Sequence, residues 1–219
     1  MNAQHYLACL ALTLTALPTC AATVPSDVTL SAVQQIVINN GSEVASLDPH
    51  KVEGVPESNI ILNLLDGLVN TDNNGNVVPG VAERWENQQG KIWTFTLRDN
   101  AKWSNGEPVT AQDFVYSWRR LADPKTASPY ASYLQAAHIA NVDAILAGKV
   151  APDQLGVKAL DNRHLQITLT EPVPYLAAML AHTAMKPVYA PAIEKWGEGW
   201  TQPGHYIGNG AYTLNDWVV

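Results

Sequence analysis

Between Trp93 and Leu97 the side chains alternate, with Trp93, Phe95 and Leu97 apolar and Thr94 and Thr96 polar. That period of two predicts a half-buried strand. Ser104-Asn105-Gly106 follows as a turn, Asn-Gly being a strong short-range turn signal. Thr110 then stands as an N-cap with Asp113 three residues on, in the manner of a capping box. The helix it opens spans 111–121 and buries Phe114, Val115, Trp118 and Leu121 on one face. A second alternating stretch, 165–169, joins 156–160 through a hairpin at Asp161-Asn162. Behind Pro56, the residues Ile60, Ile61, Leu64, Leu65 and Leu68 fall on one helical face. Further helices are predicted over 137–146, 175–181 and 191–196, with turns at 39–41 and 72–75. The stretch 24–38 has no strong period, and no internal repeat or low-complexity tract is present. Strands and helices mix without a regular β-α-β rhythm, which predicts a mixed α/β or α+β fold.

The amino-terminal 22 residues form a separate block. An uncharged apolar run over 7–17 is broken by Pro18 and followed by small residues at Cys20-Ala21-Ala22. This is the pattern of an export signal cleaved after Ala22, although no Lys or Arg precedes the run. Acylation at Cys20 is the weaker reading, since Pro18-Thr19 fits a lipobox poorly. Cys9 and Cys20 both lie in this leader, so the mature chain is expected to hold no cysteine, no disulfide and no thiolate-bound metal.

The chain has 219 residues and a formal charge of −7, with 15% charged residues and no Lys/Arg cluster. This balance argues against a nucleic-acid partner. The six histidines show no i, i+4 pair, and there is no G-x-S-x-G, H-E-x-x-H, P-loop or Rossmann glycine pattern. Neither an enzyme nor a metal or cofactor site is expected. The seven tryptophans sit in strand and helix patterns, which favours a core role over a sugar-stacking one.

The run W-x-F-x-L-R-x-x-A-K-W-S-x-G-x-P-V-T-A-x-D-F-V-Y-S-W, from Trp93 to Trp118, resembles the signature region of the family 5 extracellular solute-binding proteins. The resemblance extends through 43–58, 123–134, 171–175 and 200–214, in colinear order. It implies the periplasmic receptor of an oligopeptide or dipeptide ABC importer, a monomer whose partners are short peptides and membrane permease subunits. It also implies a periplasmic-binding-protein type II-like lobe with a smaller inserted α+β lobe. On that basis residues 23–65 begin the ligand-facing lobe, 66–189 form the inserted lobe, and 190–219 return to the first.

The resemblance further implies ligand-facing residues. Glu53-Gly54-Val55 matches a strand-like segment that pairs with the backbone of an extended peptide, with Gly54 leaving room and Glu53 offering a fixed negative charge. Tyr130 matches a cavity-lining tyrosine, and His182 a position near a side-chain pocket. Relatives of this family are more than twice as long, and 215–219 reads as the inside of a strand, so the second large lobe is expected to be missing. Half a cleft is then expected to bind peptide weakly or not at all. The alternatives are an independently folding interaction or chaperone-like module and, more remotely, an exported hydrolase.

Overall fold

A computed structural model describes residues 26–218. The leader, both cysteines and the cleavage site therefore lie outside the described residues. Residues 26–39 belong to a unit of their own and carry no helix or strand, in line with their lack of period. Every helix and strand among the described residues belongs to the second unit, from Asn40 onward.

This second unit is built on a four-stranded antiparallel sheet of order β3-β4-β6-β5, with β3 at Ala82–Gln88, β4 at Ile92–Leu97, β5 at Val157–Ala159 and β6 at His164–Thr168. Trp93 stands opposite Ile167, Phe95 opposite Leu165, and Trp85 opposite Phe95. The alternation read from the sequence therefore carries across the sheet, and one face becomes a continuous apolar layer. The helix α2, Ala111–Ala122, packs on β5 and β6 and buries Phe114, Val115, Trp118 and Leu121. Its start is fixed as the sequence predicts, because the N–H and hydroxyl of Thr110 both donate to the Asp113 carboxylate, at 2.7 and 3.0 Å. Gly106, at φ +91°, closes the turn before it, flanked by a Lys102–Pro108 bridge.

Ahead of the sheet come α1, Val55–Leu64, and a two-stranded hairpin of β1, Val69–Thr71, and β2, Val77–Pro79. The 72–75 turn joins these strands. Neither strand follows from the sequence, being too short to show a period. β3 also escapes detection: it is an edge strand on which Trp85 is the one large apolar residue, among Glu83, Arg84 and Glu86. Charges on an edge are how sheets resist pairing with foreign strands, and they erase the hydrophobic signal.

Four expectations are corrected. The 137–146 helix is two pieces, α3 at Ala131–Ala136 and α4 at Val142–Leu146. Between them His138 and Asn141 turn left-handed, at φ +54° and +69°. Backbone bonds from Ala140 to Thr168 (2.9 Å) and from Thr170 to His138 (2.9 Å) tie this link to the end of β6, overriding helix propensity. Over 175–181 only Leu176–Met179 is helical (α5). Leu68 lies beyond the end of α1, yet is fully buried leading into β1. The 215–218 stretch forms no strand, since none of its backbone groups pairs with another strand among the described residues. The helix α6, Ala190–Trp196, agrees with the sequence.

Candidate functional site

Just before α1, Glu53 is exposed and Gly54 half-buried, Gly54 with extended backbone at φ −78° and ψ 150°. Val55, however, is already the first residue of the helix and is 72% exposed. Pro56 follows in the first turn, where its missing N–H costs no hydrogen bond. The Gly54 carbonyl accepts from Ser58 at 3.1 Å, so part of the segment's backbone is spent on starting the helix. A Cβ on Gly54 would collide with the Glu57 carboxylate, which itself accepts from the Ala45 N–H at 3.1 Å. The group in the way is the end of a flexible side chain, so the crowding is relieved if Glu57 gives up its bond to Ala45.

Tyr130 and His182 come together, their ring centroids 4.6 Å apart. Tyr133 completes the cluster, 4.7 Å from His182 and edge-on to Tyr130 at 6.3 Å. Sequence reading missed Tyr133; the three-residue spacing from Tyr130 was the signal available. The Tyr133 hydroxyl donates to the Met179 carbonyl at 3.2 Å. His182 Nδ1 accepts from the Ala184 N–H at 3.1 Å, which leaves the proton on Nε2 of the neutral ring. Burial, helped by the charge of Lys186, pulls its pKa below the usual histidine value, so the ring is neutral at pH 7. Among the described residues neither Nε2 of His182 nor the Tyr130 hydroxyl has a hydrogen-bond partner. The arrangement is a half-buried aromatic surface with two unspent polar tips, suited to apolar side chains and to one acceptor. The turn at Thr183–Met185, directly after His182, packs on α1, while no hydrogen bond or ring contact joins Glu53, Gly54 or Val55 to the cluster.

A buried polar network holds these short segments in place, and no motif announces it. Arg120, near the end of α2, forks onto Asp48 at 2.6 and 3.0 Å and also donates to His50 Nδ1 at 2.7 Å. The Asp48 carboxylate accepts from the His50 N–H as well, at 2.9 Å. Burial alone would raise the Asp48 carboxyl, but the Arg120 fork and its neighbours outweigh burial and hold it below its usual range. Burial pushes His50 down to about 4, so the ring is neutral at pH 7 and can accept from Arg120. The buried Tyr206 hydroxyl donates to the Leu47 carbonyl at 3.3 Å. Lys186, 1% exposed, is pushed down to about 8 by burial and donates to Asn70 on β1 at 2.9 Å. Asn70 in turn donates to Asp66 at 2.7 Å, and Arg98 reaches the same carboxylate at 3.1 Å. Among the described residues no group of three or more His, Cys, Asp or Glu could hold a metal ion, and no helix is long and apolar enough to cross a membrane.

The model for bacterial extracellular solute-binding proteins, family 5 (Middle), matches residues 76–219. The chain belongs to that family. It is 62% identical over 199 residues to the periplasmic oligopeptide-binding protein OppA of Escherichia coli, covering 91% of this chain and 37% of that protein. Identity to the E. coli periplasmic murein peptide-binding protein MppA is 52% over the same length. Among solved structures, Haemophilus influenzae OppA in complex with RPPGFSPFR superposes with a TM-score of 0.84 at 50% identity, over 87% of this chain and 37% of that one. The unliganded open form of MppA gives 0.78 at 54% identity, over 80% of this chain and 34% of that one. The mixed α/β fold is thus that of the type II-like binding proteins, and this chain spans a little over a third of such a relative.

Proposed function

We propose that this chain is the ligand-facing part of the periplasmic substrate-binding component of a peptide ABC importer, which captures oligopeptides and hands them to membrane permease subunits. The observation that carries the reading is the convergence of Tyr130 and His182, remote in sequence, into one surface with unspent polar tips. A peptide backbone lies along Glu53-Gly54 and the N–H of Val55, and one side chain rests on the Tyr130/His182 surface. The lobe boundaries at 65/66 and 189/190 belong to the same proposal, as do export to the periplasm and a non-enzymatic role. Because the chain spans only 37% of its E. coli relative, the contacts it keeps stay open to water, and binding by this chain alone is weak.

The test is a thermal melt of the purified chain with tri- to pentapeptides and a murein tripeptide. Ligand at about one hundred times its Kd stabilises by about 2.7 kcal/mol. The expected result is a shift at millimolar peptide that disappears in Tyr130→Ala and His182→Ala. No shift with any peptide, or a shift that both variants retain, would overturn the reading.

A further inference from the structure

The aromatic surface turns donors outward, and its histidine has no acceptor to spare. His182 Nδ1 is taken up by the Ala184 N–H at 3.1 Å, so the neutral ring can only donate, through Nε2. The Tyr130 hydroxyl can donate as well, whereas that of Tyr133 is spent on the Met179 carbonyl at 3.2 Å. Both tyrosine rings lie against His182, at 4.6 and 4.7 Å between centroids, and fix its direction.

A charge stands behind this surface. Lys186 ends the turn that His182 begins, its N–H donating to the Thr183 carbonyl at 3.1 Å. It is 1% exposed, and burial pushes its pKa down only to about 8, so it stays charged at pH 7. Its ammonium donates to Asn70 at 2.9 Å, and Asp66, the carboxylate that acts on it, is already shared with Arg98 at 3.1 Å. The charge that acts on the His182 ring is that of Lys186. Among the described residues no carboxylate bonds to Tyr130, Tyr133 or His182.

Two stacked tyrosines by themselves would attract a cation to their faces. A fixed cation behind them reverses that preference, because screening is weak at a half-buried place. We propose that Lys186, without touching the peptide, makes the Tyr130/His182 surface select a side chain ending in a carbonyl or carboxylate oxygen and reject one ending in a cation. This deepens the functional proposal and rests on it. An acceptor gains both the Nε2 proton and the field, an aliphatic side chain gains ring contact alone, and an ammonium meets a donor it cannot satisfy and a like charge.

The test titrates the chain, carrying isotope-labelled histidine, with trialanine and with peptides in which each alanine in turn becomes glutamate, glutamine, leucine or lysine. Magnetic resonance at pH 7 follows the His182 signal, assigned from its loss in His182→Gln. At the peptide position that moves this signal, glutamate and glutamine should bind tighter than leucine, and leucine tighter than lysine. The span from glutamate to lysine should be about fivefold and should fall below about twofold in Lys186→Met, as the removal of one partly screened charge requires. Lys186→Gln, which keeps a donor for Asn70 without the charge, should do the same and guards against a folding defect in the methionine variant. Equal affinity for all four, a preference for lysine, or a span that the folded variants retain while binding every peptide more weakly would overturn the inference and leave the functional proposal standing. No movement of the His182 signal with any peptide would sink the functional proposal and this inference with it.

Discussion

Replacing Arg120 with methionine tests whether the buried network holds the candidate site together. Methionine keeps much of the volume and removes the charge. Asp48 is only 2% exposed, so the variant leaves a carboxylate buried without the two bonds of 2.6 and 3.0 Å that now satisfy it. His50 Nδ1 loses its donor at the same time. Breaking a buried pair from one side costs about 3–5 kcal/mol, because the surviving charge stays uncompensated. Against a typical domain stability of about 5–15 kcal/mol, that is a large fraction. Removing both partners at once, as Asp48→Asn with Arg120→Met, should restore about half of the loss. Lysine at 120 should not rescue, because an ammonium cannot fork onto a carboxylate. The assay is urea unfolding at pH 7 followed by tryptophan emission, which the buried Trp118 and Trp200 report. A loss below about 1 kcal/mol, as for an exposed pair, or strictly additive single and double variants, would refute the reasoning.

Two further outcomes concern other groups. His50 titrates near 4 in the folded chain against an ordinary 6.5, so the unfolded chain takes up the proton first as pH falls. Its contribution is whole above pH 6.5 and is lost between 6.5 and 4, by about 3 kcal/mol at most. Asp48, depressed in the folded state, adds a loss of the same sign at still lower pH. Unfolding free energies measured from pH 7 to 4 should therefore fall more steeply in the wild type than in His50→Gln, and parallel curves would count against the burial argument. Gly210→Ala should cost about 1–3 kcal/mol by overpacking. The new Cβ would stand 2.5 Å from the Asn63 carbonyl oxygen and 2.6 Å from the Leu64 carbonyl carbon. Gly75→Ala, at φ +80° with open space around it, carries only the left-handed strain of about 1–2 kcal/mol. Chemical melts that place Gly75→Ala as the costlier of the two would remove the close approach as an explanation.

The elements that sequence reading found are those whose signal is local and repeated. β4 and β6 alternate, and α2 has both a capping box and an apolar stripe, so each is legible within its own window. The elements it missed are defined by partners. β1 and β2 are three residues each and exist because they pair with one another. β3 shows one core-facing tryptophan, and α3 and α4 are separated by contacts to β6 that a helical period cannot reveal. Most tryptophans proved to be core, with Trp93, Trp103, Trp118 and Trp200 at most 4% exposed. Trp196 departs from that, being 42% exposed and stacked on His205 at 3.8 Å.

The two histidines nearest the candidate site show why its chemistry needed coordinates. Apart from the family resemblance, which singles out His182, nothing in the sequence distinguishes it from His50, since neither has a paired ligand nearby. In the folded chain both are neutral at pH 7, yet they stand in opposite situations. His50 is wholly buried, with Nδ1 taking a bond from Arg120 across the fold, and its role is to hold two segments together. His182 turns Nδ1 to the N–H of its own turn and keeps Nε2 unspent, beside the unspent hydroxyl of Tyr130. His50 Nε2 also lacks a partner but is buried out of a ligand's reach, whereas a donor held unsatisfied at a half-buried surface gains from an arriving acceptor. On the proposed reading, burial leaves His50, Asp48 and Arg120 to positioning, and Tyr130 and His182 to ligand contact. Glu53 and Gly54 are placed instead by the start of α1, where the Gly54 carbonyl accepts from the Ser58 N–H at 3.1 Å.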